Sequence, residues 1–250
     1  MALGGTLANP AAASDNILFG IVPQQSATRL AQVWVPFMNR LSEETGMNIR
    51  FATIKDIPSF EKCLAKSAYE LAYMNPYHFT VFNEIPGYVA IARQAEKRLH
   101  GLIVVRKDSP FQEFEDLDGK MMAFPSPAAF GASVLARAEM RARGIAHLPQ
   151  YVNSHDSVYR AVAAGIYPAG GGVKRTFSAT SEDLRAQLRI LYTTEKYTPH
   201  AFAALGSMPA DVVRKIASAM LRIGSSDEKI MKSLGMKAFA AARDDDWDDV

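Results

Sequence analysis

Five histidines at positions 78, 100, 147, 155 and 200, a single cysteine at position 63 and the tripeptide Ser154-His155-Asp156 are the groups in this 250-residue chain best suited to chemistry. The histidines do not have metal-ligand spacing. Ser154, His155 and Asp156 supply the residue types of a hydrolytic triad, but neighbours along a chain cannot adopt its geometry. The sequence contains no G-x-S-x-G, no phosphate-binding P-loop, no G-x-G-x-x-G and no H-E-x-x-H. No catalytic residue, metal or cofactor is therefore expected. An enzyme ranks last among the readings, because no nucleophile–base pair can be assembled. Gly170-Gly171-Gly172, followed by Lys174 and Arg175, could cradle an anion or form a tight turn.

One kind of place recurs instead. Ser26, the loop from Ser126 to Gly131, and Ser154-His155 each stand where a strand gives way to a helix. A helix N-terminus offers free N–H groups and the positive end of the dipole, so it binds anions without a metal. The run Leu71 to Met74 reads as a buried strand that stops at Asn75-Pro76. Proline ends the ladder and suits the first turn of a helix, which places Tyr77 at the carboxyl edge of an open sheet, where such folds bind ligands. The candidate ligand-binding residues are Gln24, Asn75, Tyr77, Ser126, Ala129, Phe130, Gly131, Ser154 and His155, with Cys63 as an alternative thiolate ligand.

Alternating strands and helices must position these residues. Ile17–Val22 is a continuous apolar run, and a helix follows with Leu30, Val33, Phe37 and Leu41 on one face. Pro36 inside it predicts a kink or a restart there. Strands are predicted at 49–54, 88–93, 99–105, 121–124, 151–154, 189–193 and 201–205. A helix carrying Phe60, Cys63 and Leu64 precedes the Tyr69 stretch, another runs to Arg143, another opens at His155, and two helices, 209–223 and 226–234, lead to an acidic tail, Asp244–Asp249. Regular alternation predicts an α/β fold with mostly parallel sheets, and residues 106–196 repeat the pattern as a second unit. With 48% apolar and 22% charged residues and a net charge of +2, the chain has a core-forming composition and no basic run that would track nucleic acid. No apolar segment approaches bilayer length. Residues 1–13 end in small residues suited to cleavage after Ala13 and read as the remnant of a signal peptide, which implies export. No lipid-anchoring cysteine stands near Ala13, and stable membrane insertion is not expected.

Ala72-Tyr73-Met74-Asn75-Pro76-Tyr77, Asp116-Leu117-Asp118-Gly119-Lys120, Ser154-His155-Asp156-Ser157 and the segment Gly165 to Gly172 occur in an order that resembles the periplasmic phosphate/phosphite/phosphonate-binding proteins of ABC transporters. The resemblance implies the two-lobed type II periplasmic binding protein fold. Lobe 1 would comprise residues 14–105 and 197–250 and lobe 2 residues 106–196, with a two-segment hinge near Val105-Arg106 and Tyr192–Pro199. It also implies a monomer that binds a small oxyanion in the cleft, with Tyr77 and His155 as contacts, and passes it to an ABC permease. Two departures stand out. The family's Ser-Thr-Ser anion loop is replaced by Pro127-Ala128-Ala129-Phe130-Gly131, and its Asp-Ala-Gly run reads Pro168-Ala169-Gly170. The alternative is an arsenite-binding sensor that signals through a membrane histidine kinase, with Cys63 sulfur as the ligand to thiophilic arsenic.

Overall fold

The computed structural model describes residues 16–250, so the signal-peptide remnant lies outside the described residues. In the first half, β1 (Ile17–Ile21), α1 (Ala27–Thr45), β2 (Ile49–Ala52), α2 (Ile57–Ala65), β3 (Leu71–Met74), α3 (Pro76–Glu84) and β4 (Tyr88–Gln94) follow one another. The second unit holds β5 (Gly101–Arg106), β6 (Lys120–Phe124), a π-helical turn (Phe130–Leu135) running into α4 (Ala136–Ala142), β7 (His147–Tyr151), α5 (His155–Ala163) and β8 (Ala169–Val173). It is completed by α6 (Lys174–Ser178), α7 (Glu182–Ala186) and β9 (Leu188–Thr193). The chain then returns through β10 (Ala201–Leu205), α8 (Ala210–Ser226), α9 (Glu228–Leu234) and β11 (Phe239–Ala241).

Several helices are fixed by local chemistry as well as by an apolar stripe. Ser26, Asp56, Asn75 and Ser154 cap α1, α2, α3 and α5 by accepting a backbone N–H three residues on. Gly46, in the left-handed region at φ 68°, ends α1. Pro36 does not split α1, which runs unbroken from Ala27 to Thr45. Its buried stripe of Leu30, Trp34, Phe37 and Leu41 packs onto the first sheet.

Among the described residues two sheets form, a six-stranded one in the order β11-β4-β10-β3-β1-β2 and a five-stranded one in the order β7-β6-β8-β5-β9. Both are mixed. In each, most strands run one way, while the strand that brings the chain in from the other sheet runs against them in the interior; the edge strand β11 of the first sheet is also antiparallel to its neighbour β4. β10 is antiparallel to both β3 and β4, and β5 is antiparallel to both β8 and β9. The parallel pairs are β1–β2, β1–β3, β6–β7 and β6–β8.

The position of β5 corrects the lobe boundary read from the sequence. Residues 101–106 pair wholly within the second sheet, so the chain crosses before them, between β4 and β5, and not at Val105-Arg106. An apolar run announces a buried strand but not which sheet buries it. The two crossing segments are joined by an antiparallel bridge, Leu99 to Tyr197, with two N–H···O bonds of 2.8 Å. The acidic tail also folds back. Asp244 accepts from Ala90 N, Asp249 from Thr198 N at 2.9 Å, and Trp247 Nε1 donates to Pro199 O at 2.8 Å.

The glycine run is neither loop nor turn but the strand β8. Its glycines allow close approach. A Cβ on Gly171 would stand 1.9 Å from Ala132 O of the π-turn, and one on Gly172 would stand 2.2 Å from the Tyr159 hydroxyl. The run thereby lets α5 and the π-turn seat against the second sheet.

Candidate functional site

The carboxyl end of β1 and the first turn of α6 meet across the two sheets. Arg175 Nη2 donates to Gln24 Oε1 at 2.8 Å, which turns the Gln24 amide nitrogen toward His200 Nε2, 3.1 Å away. An amide NH2 only donates, so His200 Nε2 accepts and the ring carries its proton on Nδ1. His200 stacks on Tyr73 at 5.0 Å, and the Arg175 guanidinium lies over the same ring, 5.5 Å from its centre. Gln24, Tyr73 and His200 are each at least nine-tenths buried. Burial, and after it the Arg175 charge, holds His200 well below the usual imidazole range, while burial raises the Tyr73 phenol against the pull of Arg175. Arg175 is not within salt-bridge distance of a carboxylate among the described residues.

A second crossing joins α3 to the loop after β6. Asn75 Oδ1 caps α3 through His78 N at 2.8 Å, and its Nδ2 donates to Ala128 O at 3.0 Å. That contact brings the segment 126–131 against the first lobe. Ser126, Ala129, Phe130 and Gly131 are all buried, and Phe130 meets Tyr197 of the crossing segment edge to face at 5.5 Å. The π-turn starts with both Ser133 N and Val134 N on Ala129 O. π-helical turns of this kind are enriched at functional sites. The N–H groups opening it have no preceding helical carbonyl.

His155 begins α5 behind its cap Ser154, whose Oγ accepts from Ser157 N at 3.1 Å. The ring is 1% exposed, and its Nδ1 lies 3.1 Å from Thr176 Oγ1, which is 2.7 Å from the Tyr159 hydroxyl. Tyr159 is anchored by the β8 backbone at Val173. The Thr176 hydroxyl has two acceptors in reach, Val173 O at 3.1 Å and His155 Nδ1; where it donates to Nδ1, the imidazole proton stands on Nε2. That atom is buried without a protein partner, as is Ser126 Oγ. A buried polar atom left unpaired is costly, so each calls for a partner such as an ordered water, an ion or a ligand. Burial first, and Arg175 second, push His155 down to about 3. The site is thus built of neutral hydrogen-bond donors and one fixed cation, a set suited to holding an oxyanion by hydrogen bonds.

Of the sequence candidates, Gln24 and Asn75 bond across the lobes, to Arg175 and to Ala128 O; Ser126, Ala129, Phe130 and Gly131 lie on the segment that Asn75 holds; and Ser154 and His155 open α5 of the second lobe, where His155 meets Thr176. Tyr77 stands in the first turn of α3, 39% exposed, with its ring 6.4 Å from His78. Cys63 is half-buried on α2 and packs against the first-lobe core beside Tyr69, whose phenol it helps to raise, second to burial. Tyr73, Thr176 and His200 escaped the sequence reading as site residues. Tyr73 looked like an ordinary strand residue, and His200 gave no signal beyond its place just before β10. Arg175 had a signal in its nearness to the glycine run.

A family model described as ABC transporter, phosphonate, periplasmic substrate-binding protein matches residues 19–247. Among solved structures, the fold is similar to a binding protein component of a phosphonate ABC transporter from Pseudomonas aeruginosa, with a TM-score of 0.85 at 15% identity, covering 93% of this chain and 83% of that one. It is also similar to PhnD1 from Prochlorococcus marinus in complex with methylphosphonate, with a TM-score of 0.83 at 14% identity, covering 94% and 95%. A histidine kinase sensor domain related to periplasmic binding proteins matches with a TM-score of 0.64 at 14% identity, covering 90% and 98%. Two mixed α/β lobes joined by paired crossing segments, with polar groups buried between them, agree with the near-complete family match: the chain belongs to the periplasmic substrate-binding proteins of phosphonate ABC transporters.

Proposed function

We propose that this protein captures a small phosphonate-type oxyanion between its lobes and delivers it to an ABC permease. The observation that carries the reading is the pair of buried, unpartnered atoms Ser126 Oγ and His155 Nε2, together with Arg175, whose charge acts on His155 and which is not within salt-bridge distance of a carboxylate among the described residues. In this account Ser126 Oγ–H, His155 Nε2–H and the N–H groups opening the π-turn donate to the phosphonyl oxygens, and Arg175 supplies the countercharge. Asn75 holds the Ala128 loop in place, Ser154 caps α5, and Tyr77 closes over the ligand from the rim. Gln24 and His200 orient Arg175 and Tyr73. Backbone donors take over from the hydroxyls that Pro127-Ala128-Ala129 lacks.

The lobes move on the paired segments 95–100 and 194–200, and the protein acts as a periplasmic monomer. The arsenite-sensing alternative requires Cys63 at the ligand, and its packing beside Tyr69 on α2 gives that reading no support. Calorimetric titration with methylphosphonate, phosphite and phosphate tests the proposal. Saturable one-to-one binding of at least one of them is expected, weakened at least a hundredfold by His155→Ala with the fold retained by circular dichroism. Equal affinity in wild type and variant would remove His155 from the site.

A further inference from the structure

The space lined by Gln24, Tyr73, Arg175 and His200 is small, about 40 Å³, and holds only a few water-sized groups. It adjoins a groove of about 410 Å³, and Gln94, Lys97, Lys174 and Arg175 line both. Arg29 and Lys232 join them farther out. No aspartate or glutamate lines either space. Among the described residues none of these five cations is within salt-bridge distance of a carboxylate. The chain has 28 Lys and Arg against 26 Asp and Glu, so the gathering is not a by-product of a basic composition. Arg175 lines both spaces, so a ligand tail that runs outward along it enters this groove, where an ammonium tail meets Lys97 and Lys174 as like charges and an anionic tail meets them as partners; the acid Asp156 faces Arg29 from the adjoining groove.

We infer that the ligand is a phosphonate whose tail ends in a second anionic group, seated between Lys97 and Lys174 while its phosphonyl head reaches Ser126 and His155. The inference rests on the proposed oxyanion site and adds the chemistry of the tail. A groove that only steers anions inward acts on the association rate and fades with added salt, whereas a seat between Lys97 and Lys174 slows dissociation of the ligand that carries the second anionic group.

The experiment compares the affinities of methylphosphonate, 2-aminoethylphosphonate, phosphonoacetate and 3-phosphonopropionate. The same set is then measured on a Lys97→Ala/Lys174→Ala double variant, in which both replaced side chains are exposed. The carboxylate compounds are expected to bind at least tenfold more tightly than methylphosphonate and at least a hundredfold more tightly than 2-aminoethylphosphonate. In the double variant the carboxylate-to-methyl ratio should fall below threefold. Binding of methylphosphonate without a carboxylate preference, or a preference that survives the double substitution, overturns the inference alone. Failure of all four phosphonates to bind the folded protein overturns the oxyanion site and this inference with it.

Discussion

Lowering the pH from 7 to 5 should destabilise the protein through His155, and replacing that residue should remove the effect. The ring is fully buried with its pKa pushed down to about 3, whereas an unfolded histidine titrates near ~6.5. Between those values the unfolded chain holds a proton that the native state does not, so stability rises with pH across the window and levels off above it. At pH 5 the unfolded histidine is almost fully protonated, which costs the native state about 2 kcal/mol relative to pH 7. For a chain of this size that is a fall of about 4–8 °C in melting temperature. His78 and His200 are also held low by burial and act in the same direction, while Asp156, raised by burial, opposes them at the acid end. Comparing wild type with His155→Gln cancels those shared contributions. Thermal unfolding of both proteins at pH 7 and pH 5 should show the wild type losing about 2 kcal/mol more than the variant. Equal losses would show that folded His155 takes up its proton freely, and the buried neutral donor assigned to it would be wrong.

Other consequences can be checked in the same preparations. Thr176→Val removes the hydroxyl between Tyr159 and His155 and should weaken methylphosphonate binding about tenfold, the worth of one hydrogen bond, with Thr176→Ser restoring it. Trp247→Ala deletes a side chain 2% exposed, with its ring 4.6 Å from that of Phe79, and should cost about 3–5 kcal/mol in urea unfolding. An unchanged midpoint there would mean that the acidic tail does not brace the crossing segments. Cys63→Ser should leave phosphonate affinity within about twofold, because the sulfur packs beside Tyr69, outside the residues that meet across the cleft; loss of binding would place the sulfur at the ligand.

The parts of this molecule that depend on near neighbours in the chain were legible in its sequence. Asn75-Pro76 marked the end of β3 and the start of α3, and Ser154 marked the cap that positions His155, because strand ends and helix caps are decided within a few residues. Most of the order of strands and helices followed from hydropathy runs in the same way, but β7 lies at His147–Tyr151 and not at 151–154, and the glycine strand β8 has no apolar run to announce it. What hydropathy cannot carry is direction and partnership. β5 is an apolar run like any other, and only the path of the crossing segment puts it antiparallel in the middle of the second sheet. β11 has three residues, too few for a pattern, and is held by its pairing with β4. The set of Gln24, Tyr73, Arg175 and His200 spans 176 residues of chain and exists only because β10 returns to the first lobe beside β3. The glycines at 170–172 raised the right question, close approach, but their partners Ala132 and Tyr159 lie on other elements and could not be named in advance.

The most direct test of the central claim is a crystal structure of the protein grown with methylphosphonate. Phosphonyl oxygens are expected between the lobes, within about 3.2 Å of both Ser126 Oγ and His155 Nε2, with the Arg175 guanidinium turned toward them. A ligand bound elsewhere, or one that leaves both of those atoms unpaired, would contradict the account.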